Sequence, residues 1–295
     1  MMLGAAVHGA LVQPFIEFGF MRRALVACLA LGLSCGPVGT LLVLRRMSLA
    51  GDAMAHALLP GAAVAFLLVG LSLPAMSLGA FIAALAVAAL AGGVARFTAQ
   101  REDASLAGFY LIALAAGVML ISLRGNSVDL MRVLFGSILA VDDAALLLVA
   151  GVSSASLLVL ALVWRPLLVE CFDPGFLRAV GGHGGLHHQL FLVLLVANLV
   201  AGFQALGTLM AVGLLMLPAI AARCWAHSVA RLSAIACGIA AACGYGGLLL
   251  SYHFGLPSGP AIVLLAGAVY LVSLCIGTRD SLRTRFFTAH RHRAA

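Results

Sequence analysis

Apolar runs of membrane-spanning length alternate along this chain with short breaks in which arginine, proline and glycine collect. A helix needs about 20 apolar residues to cross a bilayer core. The pattern predicts spans at about 24–44, 48–70, 74–95, 106–123, 144–164, 189–206, 231–252 and 258–276. A shorter run, 207–222, follows 189–206 directly, so this region is either one long apolar stretch or a tight hairpin turning near Gln204 and Gly207. Parity favours the hairpin. The expected fold is all-α and integral to the membrane, with nine crossings, or eight if the short segment does not cross fully. Residues 1–19 contain Pro14 and Glu17 and lack a charged leader before an apolar run, so they predict an N-terminal interfacial segment rather than a cleavable signal. The membrane domain is expected over 20–277 and a basic cytoplasmic tail over 278–295.

Composition supports this reading. The 295 residues are 64% hydrophobic and 9% charged, with a mean hydropathy of +1.16, far from the roughly quarter-charged make-up of soluble domains. All 17 basic residues are arginine, and the net charge of +7 reports topology rather than a nucleic-acid surface. No nucleic-acid partner is expected. With the N-terminus outside, nine crossings leave Arg22, Arg23, Arg124 and Arg132 outside and the other 13 of the 17 arginines in the cytoplasm, including five in the tail. The C-terminus is therefore placed in the cytoplasm. The seven cysteines show no CxxC spacing and are read as buried free thiols.

Asp52 alone among the ten acidic residues falls inside an apolar span, and His56 follows four residues later. Positions i and i+4 share a helix face, and an intramembrane acid marks a functional site by default. At a rise of about 1.5 Å per residue, Asp52 lies ~9 Å and His56 ~15 Å beyond Arg46. Carboxylate oxygen and imidazole nitrogen are both acceptable to a divalent transition metal, although two ligands make an incomplete site. The competing reading is a buried polar pair that holds two helices together. Gly51 before the pair and Pro60-Gly61 after it predict a broken or bent helix.

The stretch 165–188 is the longest polar break. In it Asp173-Pro174 opens a short helix that Gly181-Gly182 can close, either a docking knob for a soluble partner or an amphipathic connector. His183, His187 and His188 beside it, and His290 and His292 in the tail, are read as solvated loop residues in preference to metal acceptors. Glu102 and Asp103 are expected to pair with Arg96 or Arg101, or to meet a partner. Asn198 and Gln204 either line a path or bridge helices, while Met47 and Met54 are read as packing. The chain has no lysine and so no GxxxxGK[ST] loop, which assigns any ATP hydrolysis to another polypeptide. HExxH and GxSxG are also absent, and Asp52 has no second acid in a span to work with, against an intramembrane hydrolase. A stand-alone ion-coupled transporter would show an inverted repeat and more ionisable residues in its spans.

The segments RRMSLAGDAMAHALLPG (45–61), REDA (101–104), SVDLMRVLFGSIL (127–139), FDPGFLRAVG (172–181) and LPSGPAIVL (256–264) together resemble the zinc/manganese/iron branch of bacterial ABC-importer permeases, from about Phe20 to Ile276. The resemblance implies a homodimeric permease of the type II importer fold in the bacterial inner membrane. It also implies a cytoplasmic ATPase pair and an extracytoplasmic metal-binding protein. The chain itself would be no enzyme and hold no permanent cofactor, only the divalent metal in transit, zinc ahead of manganese or iron. By the same resemblance, Asp52 and His56 match the metal-contacting pair. Asp173, Phe176, Leu177, Arg178, Val180 and Gly181 match the helix that seats in the ATPase, and residues 127–139 match a loop at the outer mouth. An acid often precedes the Leu-Pro-Ser-Gly-Pro run in that family; here Gly255 stands instead.

Overall fold

The computed structural model describes residues 11–70, 72–122, 141–179, 184–279 and 281–283, which are helical with no strand among them. In chain order the helices are α1 (Gln13–Glu17), α2 (Gly19–Leu44), α3 (Ser48–Ala57), α4 (Leu59–Val69), α5 (Leu73–Phe97) and α6 (Glu102–Ser122). They continue with α7 (Asp143–Phe172), α8 (Pro174–Ala179), α9 (Gly184–Leu206), α10 (Thr208–Arg223), α11 (Val229–Phe254) and α12 (Ser258–Ile276). Among the described residues eight spans are long and apolar enough to cross a membrane, with α3 and α4 counting as one, and α10 is a shorter apolar helix. The expected segment 127–139 lies outside the described residues.

The helices are arranged around α2 and α9, whose spans are 72% buried, whereas α5, α6, α7 and α12 bury only 22–28% of theirs and form the periphery. With little hydrophobic drive between helices in lipid, small residues govern how closely they approach. The α4–α5 hairpin shows this directly. Gly61 backs onto the Gly79 carbonyl, and a Cβ on Gly79 would stand 3.0 Å from Ala65 Cβ.

The alternatives left by the sequence between 189 and 222 resolve into a hairpin. Gly207 turns the chain at φ 88°, a conformation glycine adopts without a Cβ penalty. A Cβ on Gly202 would come within 2.6 Å of Ala211 Cβ on the returning helix. The α3–α4 span is interrupted at Leu58, two residues before Pro60, as the glycine and proline pattern predicts.

Two expected boundaries are corrected. The span predicted to end near 164 runs on to Phe172 through Arg165 and Pro166, and α9 begins at Gly184 rather than 189. Pro166 kinks α7 instead of ending it, with Val163 at φ −110°, ψ 15° absorbing the distortion. A lone arginine near a helix end extends its head toward water and need not break the span. The polar break of 165–188 is thus mostly helix. The helix ends fall into two groups: Arg23 at the start of α2 lies 3.4 Å from Asp143 at the start of α7, and an arginine-rich group of ends lies opposite.

Candidate functional site

Helix α3 buries Ala50, Ala53, Met54, Ala55 and Ala57 and leaves Leu49, Asp52 and His56 on its open face. The two polar side chains are 57% and 38% exposed respectively, with His56 Nε2 3.7 Å from Asp52 Oδ1. That separation is too long for a hydrogen bond, so the pair converges without closing on itself. Tyr110 of α6 packs beside His56, ring centroids 6.1 Å apart at 23°. Below it a small pocket of about 80 Å³ is lined by Leu49, Asp52, Ala53, Asp103, Ala107 and Tyr110. Asp103 Oδ1 is buried with no hydrogen-bond partner among the described residues, where the arginine pairing expected for it is not observed.

One carboxylate and one imidazole do not complete the coordination of a divalent ion. Among the described residues no three His, Cys, Asp or Glu side chains gather to do so. Met47 and Met54 are buried and pack. Asn198 bridges helices: its Nδ2 donates to Ser156 Oγ on α7 at 2.9 Å and to the Leu194 carbonyl at 2.8 Å. Gln204 Nε2 is buried without a hydrogen-bond partner among the described residues.

Asp173 caps α8, its Oδ1 accepting from the Phe176 backbone N–H at 2.8 Å. Phe176 is 57% exposed, Leu177 is half-buried, and Arg178 lies within the helix. Val180, Gly181 and the expected Gly181-Gly182 stop lie outside the described residues, as do His183, His290 and His292. Gly255, which replaces the acid often found before Leu256, ends α11 at φ 63°.

The sequence reading missed a cluster at the arginine-rich end. Arg45 Nη1 donates to His188 Nδ1 at 2.7 Å, His188 Nε2 lies 2.9 Å from Glu102 Oε1, and Arg45 Nε donates to Cys171 Sγ at 3.2 Å. The Arg45 guanidinium also lies 4.5 Å from the Phe191 ring centroid. Arginine has only donors, so Nδ1 accepts and the neutral imidazole passes its Nε2–H to Glu102. This corrects two expectations. His188 is not a solvated loop residue, because the early start of α9 brings it into the bundle at 17% side-chain exposure. Glu102 pairs with His188 rather than with an arginine. The contact joins positions 143 residues apart, and no periodicity encodes that.

The chain matches the ABC 3 transport family over residues 17–277. It is 33% identical to the manganese import system permease protein ScaB of Streptococcus parasanguinis, covering 93% of this chain and 96% of that one. It is 30% identical to the manganese transport system membrane protein MntC of Halalkalibacterium halodurans over 95% and 94% of the two chains. The chelated iron transport system membrane protein YfeD of Yersinia pestis is also 30% identical, over 89% and 86%. Among solved structures, PsaBC from Streptococcus pneumoniae in complex with Fab superposes with a TM-score of 0.81 at 32% identity, over 91% of this chain and 96% of that one. None of these names carries zinc, so they favour the manganese or iron alternative over the zinc expectation. The helical permease architecture read from sequence is the one observed, and the chain belongs to the ABC 3 transport family, as a multi-pass membrane permease.

Proposed function

We propose that this chain is the membrane subunit of an ATP-driven importer of divalent transition metal, with manganese as the leading cargo. It works as a homodimer in the bacterial inner membrane, C-terminus in the cytoplasm, with a cytoplasmic ATPase pair and an extracytoplasmic metal-binding protein. The observation that carries this reading is the open face of α3: Asp52 and His56 converge at membrane depth and turn away from the chain's own core. A carboxylate there cannot face lipid at acceptable cost, so the face lines a polar path. A two-fold axis through that path brings two Asp52 and two His56 together, a four-ligand oxygen and nitrogen site with no thiolate. Such a set suits manganese and zinc alike; the names of the relatives supply the preference for manganese. Loose coordination is what a transporter needs, because the ion has to leave again.

Helix α8 is the element that meets the ATPase. Asp173 fixes its first turn and Phe176 presents an apolar ring to the surroundings. Its other matched positions are Leu177, Arg178, Val180 and Gly181.

The test is uptake of radiolabelled manganese, zinc and iron in cells that express the chain with its co-purifying subunits, wild type against Asp52→Asn with His56→Ala. Manganese uptake that collapses in the double variant while the complex still assembles is the expected result. Normal uptake in that variant returns the pair to a structural role. Zinc uptake in place of manganese reverses the cargo and keeps the site.

A further inference from the structure

The connection from α2 to α3 contains the one non-glycine residue with positive φ among those described, Arg46 at φ 59°. A side chain in that region is strained, and such strain persists only where its surroundings over-determine it. Both sides of the joint are held. Met47 is buried behind it and its N–H returns to the Leu42 carbonyl at 3.2 Å. In front, Arg45 is fastened to His188, Cys171 and Phe191, and through His188 to Glu102. One guanidinium therefore ties the end of α2 to the ends of α6, α7 and α9. Cys171 stands two residues before Asp173, the cap of α8; Asp52 stands seven residues after Arg45 on the helix that leaves the joint.

The same end holds a polar cavity of about 630 Å³ lined by Arg45, Arg96, Glu102, Glu170 and His188 among others. Two of its groups are unsatisfied: Arg45 Nη2 and Glu170 Oε2 are each buried with no hydrogen-bond partner among the described residues. An unpaired buried donor and an unpaired buried charged acceptor in one cavity are each unfavourable and chemically complementary. A bidentate pairing of guanidinium with carboxylate would satisfy both, at the expense of the His188 contact.

We propose that Arg45 is a two-position latch and the positioning group of the permease. In the arrangement described it engages Cys171 and His188, and through His188 Glu102. In the other it engages Glu170, and the exchange turns the strained joint at Arg46 and re-aims Asp52 and His56. Movement of α8, one residue beyond the end of α7, drives the exchange because Cys171 and Glu170 both ride on that end. This inference rests on the proposed function for what the motion accomplishes, though the latch itself is read separately.

The test uses the permease reconstituted with its co-purifying ATPase, with Cys171 as the only remaining cysteine. Maleimide labelling of Cys171 is followed with and without ATP plus vanadate, alongside manganese and zinc uptake per ATP hydrolysed. The wild type should label more slowly with nucleotide, because maleimide takes the thiolate and a neighbouring guanidinium favours that form. Glu170→Gln, which removes only the second partner, should abolish that decrease and lower uptake per ATP roughly fivefold or more while hydrolysis continues. Arg45→Gln should make labelling slow with or without nucleotide, and Arg45→Lys, which keeps the charge but not the fork, serves if the Gln variant fails to assemble. No nucleotide-dependent labelling in the wild type overturns the latch, whatever ion moves. Uptake and hydrolysis falling in parallel in Glu170→Gln also overturns it, leaving a structural clamp. A wild type that moves neither metal but still shows nucleotide-dependent labelling removes the cargo reading and keeps the latch.

Discussion

Gly61→Ala tests whether the α4–α5 hairpin is set by backbone contact. A methyl on Gly61 would fall inside the Gly79 carbonyl and 2.6 Å from Ala83 Cβ, whereas ordinary contacts begin at 3.4 Å. The helices would have to part by about 0.8 Å at Ala83 and by more at Gly79. Forcing an extra carbon into a packed site costs about 1–3 kcal/mol. The better helix propensity of alanine returns up to ~1 kcal/mol. The net loss is about 1–2 kcal/mol, roughly 5- to 30-fold in the folded ratio. Gly93→Ala on α5 is the control, because nothing lies within 4 Å of its added carbon; it should be neutral or slightly stabilising. Unfolding of the detergent-solubilised chain, followed by fluorescence of Trp164 and Trp225, measures both. Equal stability of Gly61→Ala and wild type would refute the contact argument, and equal losses in the two variants would reduce it to a general intolerance of substitution.

Two further outcomes follow from the packing and the surface. Asn198→Leu removes the bridge from α9 to Ser156 while keeping the volume, and should cost roughly 0.5–1.5 kcal/mol in the same unfolding assay, with assembly intact. Phe176→Asp places a charge on the exposed ring position of α8 and should break co-purification with the ATPase or uncouple hydrolysis from uptake without changing unfolding. A variant that still turns over normally would remove α8 from the interface.

Most of the helical layout was legible because a bilayer imposes one strong rule: every span must be long, apolar and internally hydrogen-bonded. That rule located all the spans and flagged Asp52 as the exception. It misplaced the ends of α7 and α9, where Arg165 and Pro166 resemble a stop but are absorbed by a kink at Val163. The i, i+4 register put Asp52 and His56 together, and the structure agrees at 3.7 Å. Nothing local revealed the Arg45–His188–Glu102 relay, since its partners meet only after three helices converge.

These two kinds of polar group divide the labour of the bundle. Asp52 and His56 stand on an open face with no third His, Cys, Asp or Glu gathered beside them among the described residues, and on the proposed function closure of the site falls to a second copy. Arg45, His188 and Glu102 satisfy one another inside the chain, while Arg45 Nη2 and Glu170 Oε2 have no hydrogen-bond partner among the described residues. In a medium where each unsatisfied polar group is expensive, groups left unmet are informative about motion or partners. On the proposed function the open pair on α3 looks outward to a partner and an ion, and on the proposed latch the unmet atoms beside α7 look to a second arrangement of the same chain.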